Sequence, residues 1–150
     1  MVVLAASPEA FLTFRNEFAR SLAVFSICGY FIGIGDRHLD NFLVDVTSGA
    51  VVPIDFGMAF GMGTAVLPVP ELLPFRLTPQ LLGVLRPLNT KGLFEHHATM
   101  TLKALVKSRY DIMRTMDVFL NDPIVDWMTT SATKKRTSSK VAAATADGGG

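Results

Sequence analysis

The stretch from Gly33 to Gly57, GIGDRHLDNFLVDVTSGAVVPIDFG, constrains this chain more than any other. The polar side chains of Asp36-Arg37-His38 and Asn41 interrupt an otherwise apolar run, and Asp55-Phe56-Gly57 follows directly on a second one. Between them, Phe42-Leu43-Val44-Asp45-Val46 and Ala50-Val51-Val52-Pro53-Ile54 are short β-prone runs joined by Thr47-Ser48-Gly49, the pattern of a hairpin. Pro53 has no N–H to donate, so its strand lies at an edge or is distorted. Two carboxylates and an amide are thus held on one small hairpin.

Composition limits what surrounds it. A chain of 150 residues with 49% apolar and 18% charged content suits one modest domain with a real core and excludes disorder throughout. The single cysteine, Cys28, lies in an apolar helical pattern, so neither a disulfide framework nor a Cys-based zinc site can be built, and a reducing compartment is expected. The net charge of +1 hides an asymmetry, because residues 131–150 carry four basic residues and one acid, leaving the body with 10 basic and 12 acidic residues. That balance excludes an electrostatic nucleic-acid binder in the body. The longest uncharged apolar stretch, Ser21 to Gly35, is shorter than the roughly 18–20 residues of a bilayer span. No membrane segment is expected, and no signal peptide, since the apolar run from Met1 to Ala6 lacks a basic start.

Ser7-Pro8-Glu9 reads as cap, first-turn proline and early acid, and Phe11, Phe14, Phe18, Leu22 and Phe25 continue as a stripe at spacings of three and four. This predicts one long helix, or two with a break near Arg20, ending by Gly33. Glycines 29, 33 and 35 do not make a dinucleotide fingerprint, because the spacing is wrong and no helix follows them. Residues 58–74, with two glycines, three prolines and Glu71 as their one charge, read as a long irregular segment of the kind kept for function. Thr78-Pro79 starts a helix through about Leu85, and Gly92–Lys107 and Asp111–Leu120 read as two more. His96 and His97, adjacent on a helix and about 100° apart, cannot share a metal as an i, i+4 pair would. Residues 131–150 are too poor in apolar surface to order, and Lys134-Lys135-Arg136 within them is a weak nuclear-import signal.

The polar set suits phosphoryl transfer, which needs its metals fixed and the acceptor hydroxyl aimed at the γ-phosphorus. Asp36 and Asn41 stand five apart, the spacing of Asp and Asn in the protein-kinase loop H-R-D-x-x-x-x-N, and Asp55-Phe56-Gly57 supplies a D-F-G. Asp36 would accept or orient the hydroxyl proton, and His38 would donate to the γ-phosphate. Asn41 and Asp55 would hold Mg²⁺ through oxygen, as a hard cation requires. Asp40 reads better as a solvated turn carboxylate than as a ligand. Each residue alone reads as a turn-forming polar side chain; the set, with its hairpin, is what carries the chemistry.

Gly35-Asp36-Arg37-His38-x-x-Asn41, then Ile54-Asp55-Phe56-Gly57, then Pro74-Phe75-Arg76-Leu77-Thr78, resemble the catalytic domain of the phosphatidylinositol 3-kinase-related protein kinases. Ser7-Pro8-Glu9-Ala10-Phe11-Leu12, Gly33-Ile34-Gly35, Leu67-Pro68-Val69-Pro70-Glu71-Leu72 and Thr115-Met116-Asp117-Val118-Phe119 narrow the likeness to a single member. The resemblance covers about residues 7 to 127. It implies an α+β, mostly helical kinase large lobe with a small β-hairpin at the active cleft and the small lobe missing. Catalytic loop 33–43, metal-binding motif 55–57, activation segment 58–78 and helices over 79–120 make up a domain of residues 1–130.

It further implies a nuclear serine/threonine kinase of double-strand-break repair, brought to DNA ends by the Ku heterodimer. ATP and Mg²⁺ are the implied cofactors, with Leu43 and Ile54 lining the adenine pocket. Protein substrates, Ser or Thr possibly followed by Gln, are the implied acceptors. Met58 stands where the family usually has His, and Asp40 where it has Asn or Ser. With no small lobe, these residues alone are expected to bind Mg-ATP weakly and not to turn over. A non-catalytic binding fragment and a lipid kinase stay open as alternatives; the latter shares the core from Asp36 to Asp55 and differs in its acceptor.

Overall fold

The computed structural model of the chain describes residues 7–67 and 75–121. Helix α1, Pro8–Ile32, supplies Phe18, Ala19, Leu22 and Ala23 to the buried core. Ser7 caps it by accepting the Ala10 N–H on Oγ at 3.1 Å, with Pro8 in the first turn. It runs unbroken through Arg20, which is exposed and paired with Glu17 one turn back, so nothing there disturbs the backbone ladder. Its end is a Schellman arrangement: Gly33 is left-handed at φ 67°, its N–H meets Tyr30 O at 3.2 Å, and the Ile34 N–H meets Gly29 O at 2.9 Å. This stop delivers the chain directly into the polar cluster.

The stripe on α1 faces the core as its spacing predicts. Phe14, Phe18 and Leu22 are buried, with Phe11 and Phe25 half-buried at the two ends. Val51 of the hairpin, Leu81 and Leu85 around the third helix, and Phe94 of the fourth close on Phe18, Ala19, Leu22 and Ala23. Each large side chain so buried contributes about 1.5–3 kcal/mol. One apolar cluster therefore joins the hairpin to the helical layer through α1.

Strands β1, Phe42–Val44, and β2, Val51–Pro53, pair antiparallel with Leu43 opposite Val52. They are shorter than the predicted runs because Asp45 closes the turn. Its carboxylate accepts the Thr47 N–H, the Thr47 hydroxyl and the Ser48 hydroxyl at 2.9, 2.7 and 2.6 Å. Those donors, Ser48 first, hold the Asp45 carboxyl down at about 2. Backbone bonds at Asp45–Ala50 and Asn41–Ile54 put the Phe42–Pro53 pair at a position without ladder bonds, where the missing N–H of Pro53 costs nothing. The hairpin is also bolted to α1, since the Val51 N–H donates to Ser21 Oγ at 2.8 Å.

The segment read as irregular contains a short helix, α2, Met62–Val66. Gly61, left-handed at φ 75°, turns the chain there, and the prolines begin only at Pro68, so five residues are free to coil. Helix α3, Pro79–Val84, has the expected Thr78 cap, whose Oγ1 accepts the Leu81 N–H at 3.4 Å. Helix α4, Leu93–Lys107, makes the most extensive packing against α1, and α5, Arg109–Leu120, follows it, starting two residues before the predicted Asp111. Residues 68–74 of the expected activation segment, the stretch 122–130 and the 131–150 tail lie outside the described residues. Among the described residues no helix is long and apolar enough to cross a membrane.

Candidate active site

Two loops meet at the open end of the hairpin. The first leaves α1 and runs over 33–41, and the second follows β2 over 54–61. Three backbone bonds lace them together, Gly35 N–H to Met58 O at 2.6 Å, Gly61 N–H to Gly33 O at 2.8 Å and Ile54 N–H to Asn41 O at 3.1 Å, and a fourth, Phe60 N–H to Ile32 O at 3.0 Å, ties the second loop to the end of α1. The approach at Gly33 leaves no room for a side chain, because a Cβ there would lie 2.8 Å from Gly61 N. The loops so joined present the residues that the sequence singles out.

Asp36 and Asp55 both have left-handed backbone, at φ 57° and 56°. A non-glycine residue held there costs roughly 1–3 kcal/mol, and such conformations persist where surrounding bonds over-determine them. Around Asp36 the bond comes from Asn41, which is buried and donates its Nδ2 to Asp36 O at 2.7 Å. Around Asp55 the carboxylate Oδ1 accepts the Gly57 N–H at 3.1 Å, which fixes the side chain while Asp55 itself stays exposed.

The largest contribution comes from Arg37, which the sequence reading placed in the polar cluster and gave no role. Arg37 is 4% exposed. Its Nε donates to Gly35 O at 2.9 Å, Nη1 to Ile54 O at 2.9 Å and Nη2 to Asp55 O. The guanidinium carbon lies 6.0 Å from the Phe25 ring centre and 5.8 Å from that of Phe56. One cation thus ties the Asp36 loop to the Asp55 loop. The available signal was an arginine, with its fixed five-donor fork, beside Asp36 in a polar cluster flanked by apolar runs.

His38 is half-exposed, with Nε2 3.9 Å from Asp36 Oδ1 and Nδ1 3.8 Å from Asp40 Oδ2. These are ion-pair distances when the imidazole is protonated, and too long for hydrogen bonds. Asp40 is fully solvated, as its turn position predicts. Phe42 turns inward against Phe25, ring centres 5.4 Å apart, so the alternation of β1 turns Leu43 outward, where it is 52% exposed. Val52, directly opposite Leu43, and Ile54, two residues on, share that outward face. Val52 joins the apolar face only once the register is known. His96 and His97 lie away from these loops on α4, their rings in edge contact at 5.3 Å.

Among the described residues no group of three His, Cys, Asp or Glu side chains forms a metal cage. Asn41 and Asp55 nevertheless suit a hard cation. Asn41 uses its amide nitrogen on the loop, which reserves its oxygen, and Asp55 presents an anionic carboxylate. Mg²⁺ is commonly held by one or two such groups, with waters and phosphate oxygens completing its shell.

Residues 2–129 match the family described as phosphatidylinositol 3- and 4-kinase. The chain belongs to that family. It is 55% identical over 124 residues to the DNA-dependent protein kinase catalytic subunit of Dictyostelium discoideum, covering 83% of this chain and 3% of that protein. The Xenopus laevis protein of the same name is 44% identical over 126 residues, 84% of this chain and 3% of its own length. A serine/threonine-protein kinase TEL1 from Cryptococcus neoformans is also 44% identical, over 85% of this chain and 4% of its own. Among solved structures, the FAT and kinase domain of CtTel1 superposes with a TM-score of 0.72 at 34% identity, over 85% of this chain and 10% of that one. The chain therefore spans a small part of the length of its curated relatives, and the part it spans is kinase domain. The mostly helical kinase fold with a small two-stranded sheet is borne out.

Proposed function

We propose that these residues form the catalytic floor of a serine/threonine protein kinase that moves the γ-phosphate of ATP to a protein hydroxyl. The observation that carries this reading is the joined pair of loops, in which Arg37 and Asn41 hold Asp36 and Asp55 at the mouth of one hairpin. Asp36 takes or orients the proton of the acceptor hydroxyl, and the bond from Asn41 to its carbonyl fixes where that carboxylate starts from. His38, exposed beside Asp36, donates to the γ-phosphate as negative charge moves onto it. Asn41 and Asp55 would hold Mg²⁺, which would neutralise phosphate charge and orient the transferred group. Leu43 and Ile54, with Val52 beside them, offer an apolar surface to one side of the adenine.

A protein acceptor is favoured over a lipid by the segment after Asp55-Phe56-Gly57. Phosphoinositide head groups are polyanionic and call for lysine or arginine, yet Met58 to Phe75 contains neither. An apolar, proline-containing segment suits a peptide with a neutral residue beside the acceptor, with Ser or Thr followed by Gln the preferred sequence. The likeness to proteins named DNA-dependent protein kinase catalytic subunit supports a DNA-linked kinase, and our reading puts it in double-strand-break repair by non-homologous end joining, in the nucleus, with DNA ends and the Ku heterodimer as partners of the whole protein. The test is a side-by-side assay of the protein that carries this sequence, with a Ser/Thr-Gln peptide and with phosphatidylinositol vesicles. Peptide turnover is expected to exceed lipid turnover; the reverse order makes the protein a lipid kinase and overturns the proposal.

A further inference from the structure

We propose that Arg37 is a positioning residue for the metal-holding carboxylate, and that its fork of donors sets how tightly the site takes a divalent cation together with nucleotide. The inference rests on Asp55 being the metal ligand. Asp55 sits in a left-handed conformation that costs a non-glycine residue energy, and two bonds support it there. One is internal, from the Gly57 N–H to Oδ1. The other is Arg37 Nη2 on Asp55 O, reinforced by Nη1 on the preceding carbonyl, Ile54 O.

Nε of the same side chain holds Gly35 O, next to Asp36, so the plane of one guanidinium relates the two loops to each other. The rings of Phe25 and Phe56 lie within about 6 Å of the guanidinium carbon, and the side chain is 4% exposed, so water cannot replace the lost donors without opening the site.

Two effects of Arg37 on a bound cation oppose each other. Its positive charge repels the metal, and its geometry presents the carboxylate. Arg37→Lys separates them, because the charge is kept while the planar fork is lost. Groups that orient metal ligands from behind typically change metal affinity by roughly 10–100-fold when removed.

The experiment uses the protein that carries this sequence and Mn²⁺ with a non-hydrolysable ATP analogue, with free Mn²⁺ read by electron paramagnetic resonance. Amide exchange over 54–58 and over α1 and α4 is followed in parallel. For Arg37→Lys we expect Mn²⁺ affinity to fall roughly 10–100-fold, exchange over 54–58 to rise, and α1 and α4 to keep their protection. Wild-type Mn²⁺ affinity overturns the inference. So does loss of protection throughout α1 and α4, which would make Arg37 a support of the fold alone. Asp55→Asn in the same titration separates the two readings: if it loses Mn²⁺ and Arg37→Lys does not, only the role of Arg37 fails, whereas wild-type affinity in Asp55→Asn removes the metal assignment itself.

Discussion

Gly49→Ala tests whether the hairpin sits on α1 as described. Gly49 has φ 86°, and a Cβ added to it would collide with Phe14 O and lie 2.8 Å from Phe14 Cγ. Two penalties follow. An alanine in left-handed backbone costs roughly 1–2 kcal/mol. The clash is with the backbone of a mid-helix residue, which no rotamer change relieves, and overpacking of this kind costs about 1–3 kcal/mol. Together they destabilise the seated hairpin by about 2–5 kcal/mol, so exchange of its amides should accelerate at least about 30-fold, taking 1.4 kcal/mol per factor of ten. Hydrogen exchange over 42–53 reads this directly in the intact protein. Gly83→Ala is the matched control, since its added Cβ meets nothing within 4 Å and it lies in α3. There alanine is better than glycine by up to about 1 kcal/mol, and exchange should slow. If Gly49→Ala leaves hairpin exchange within threefold of wild type, the seating is wrong.

The other predictions concern the site and the turn. Asp36→Ala should lower kcat by about 10²–10⁴, the contribution of a positioned general base, while hairpin exchange stays as in wild type; a loss under tenfold would show that another group orients the hydroxyl. Asp45, held at about 2 against an ordinary 3.8, stabilises the turn at and above the ordinary value and loses that effect as pH falls through about 2. Thermal stability should therefore drop between those two pH values, and Asp45→Asn should flatten that part of the profile; an unchanged slope in the variant would contradict the bonding of the turn.

The helices were legible because their signals are local. Ser7-Pro8 and Thr78-Pro79 cap helices through contacts three residues away, and the phenylalanine stripe of α1 continues past Arg20 without a breaker. The hairpin was legible from two apolar runs and a Gly-containing turn, although its strands stop early because Asp45 gathers Thr47 and Ser48 into the turn. Helix α2 was not legible, since five residues with Gly63 among them carry no period. Asp36, Asn41 and Asp55 stood out by spacing and residue type. Their support did not, because Arg37 reaches carbonyls 17 and 18 residues away, and because nothing in the residue type announces that Asp36 and Asp55 are left-handed. Val52 entered the apolar face only through the register.

The central claim is that Asp55 and Asp36 work as one phosphoryl-transfer site, and Asp55→Asn tests it most directly. The substitution conserves volume and retains an oxygen for the Gly57 N–H, so loss of activity would report on charge at the metal rather than on folding. Transfer of labelled γ-phosphate to a Ser/Thr peptide is measured for wild type and variant across Mg²⁺ concentrations, with amide exchange over 42–57 as the check on structure. The account predicts Mg²⁺-dependent transfer by the wild type, background transfer by Asp55→Asn at every Mg²⁺ concentration, and matching exchange. Near-wild-type phosphorylation by Asp55→Asn would contradict it.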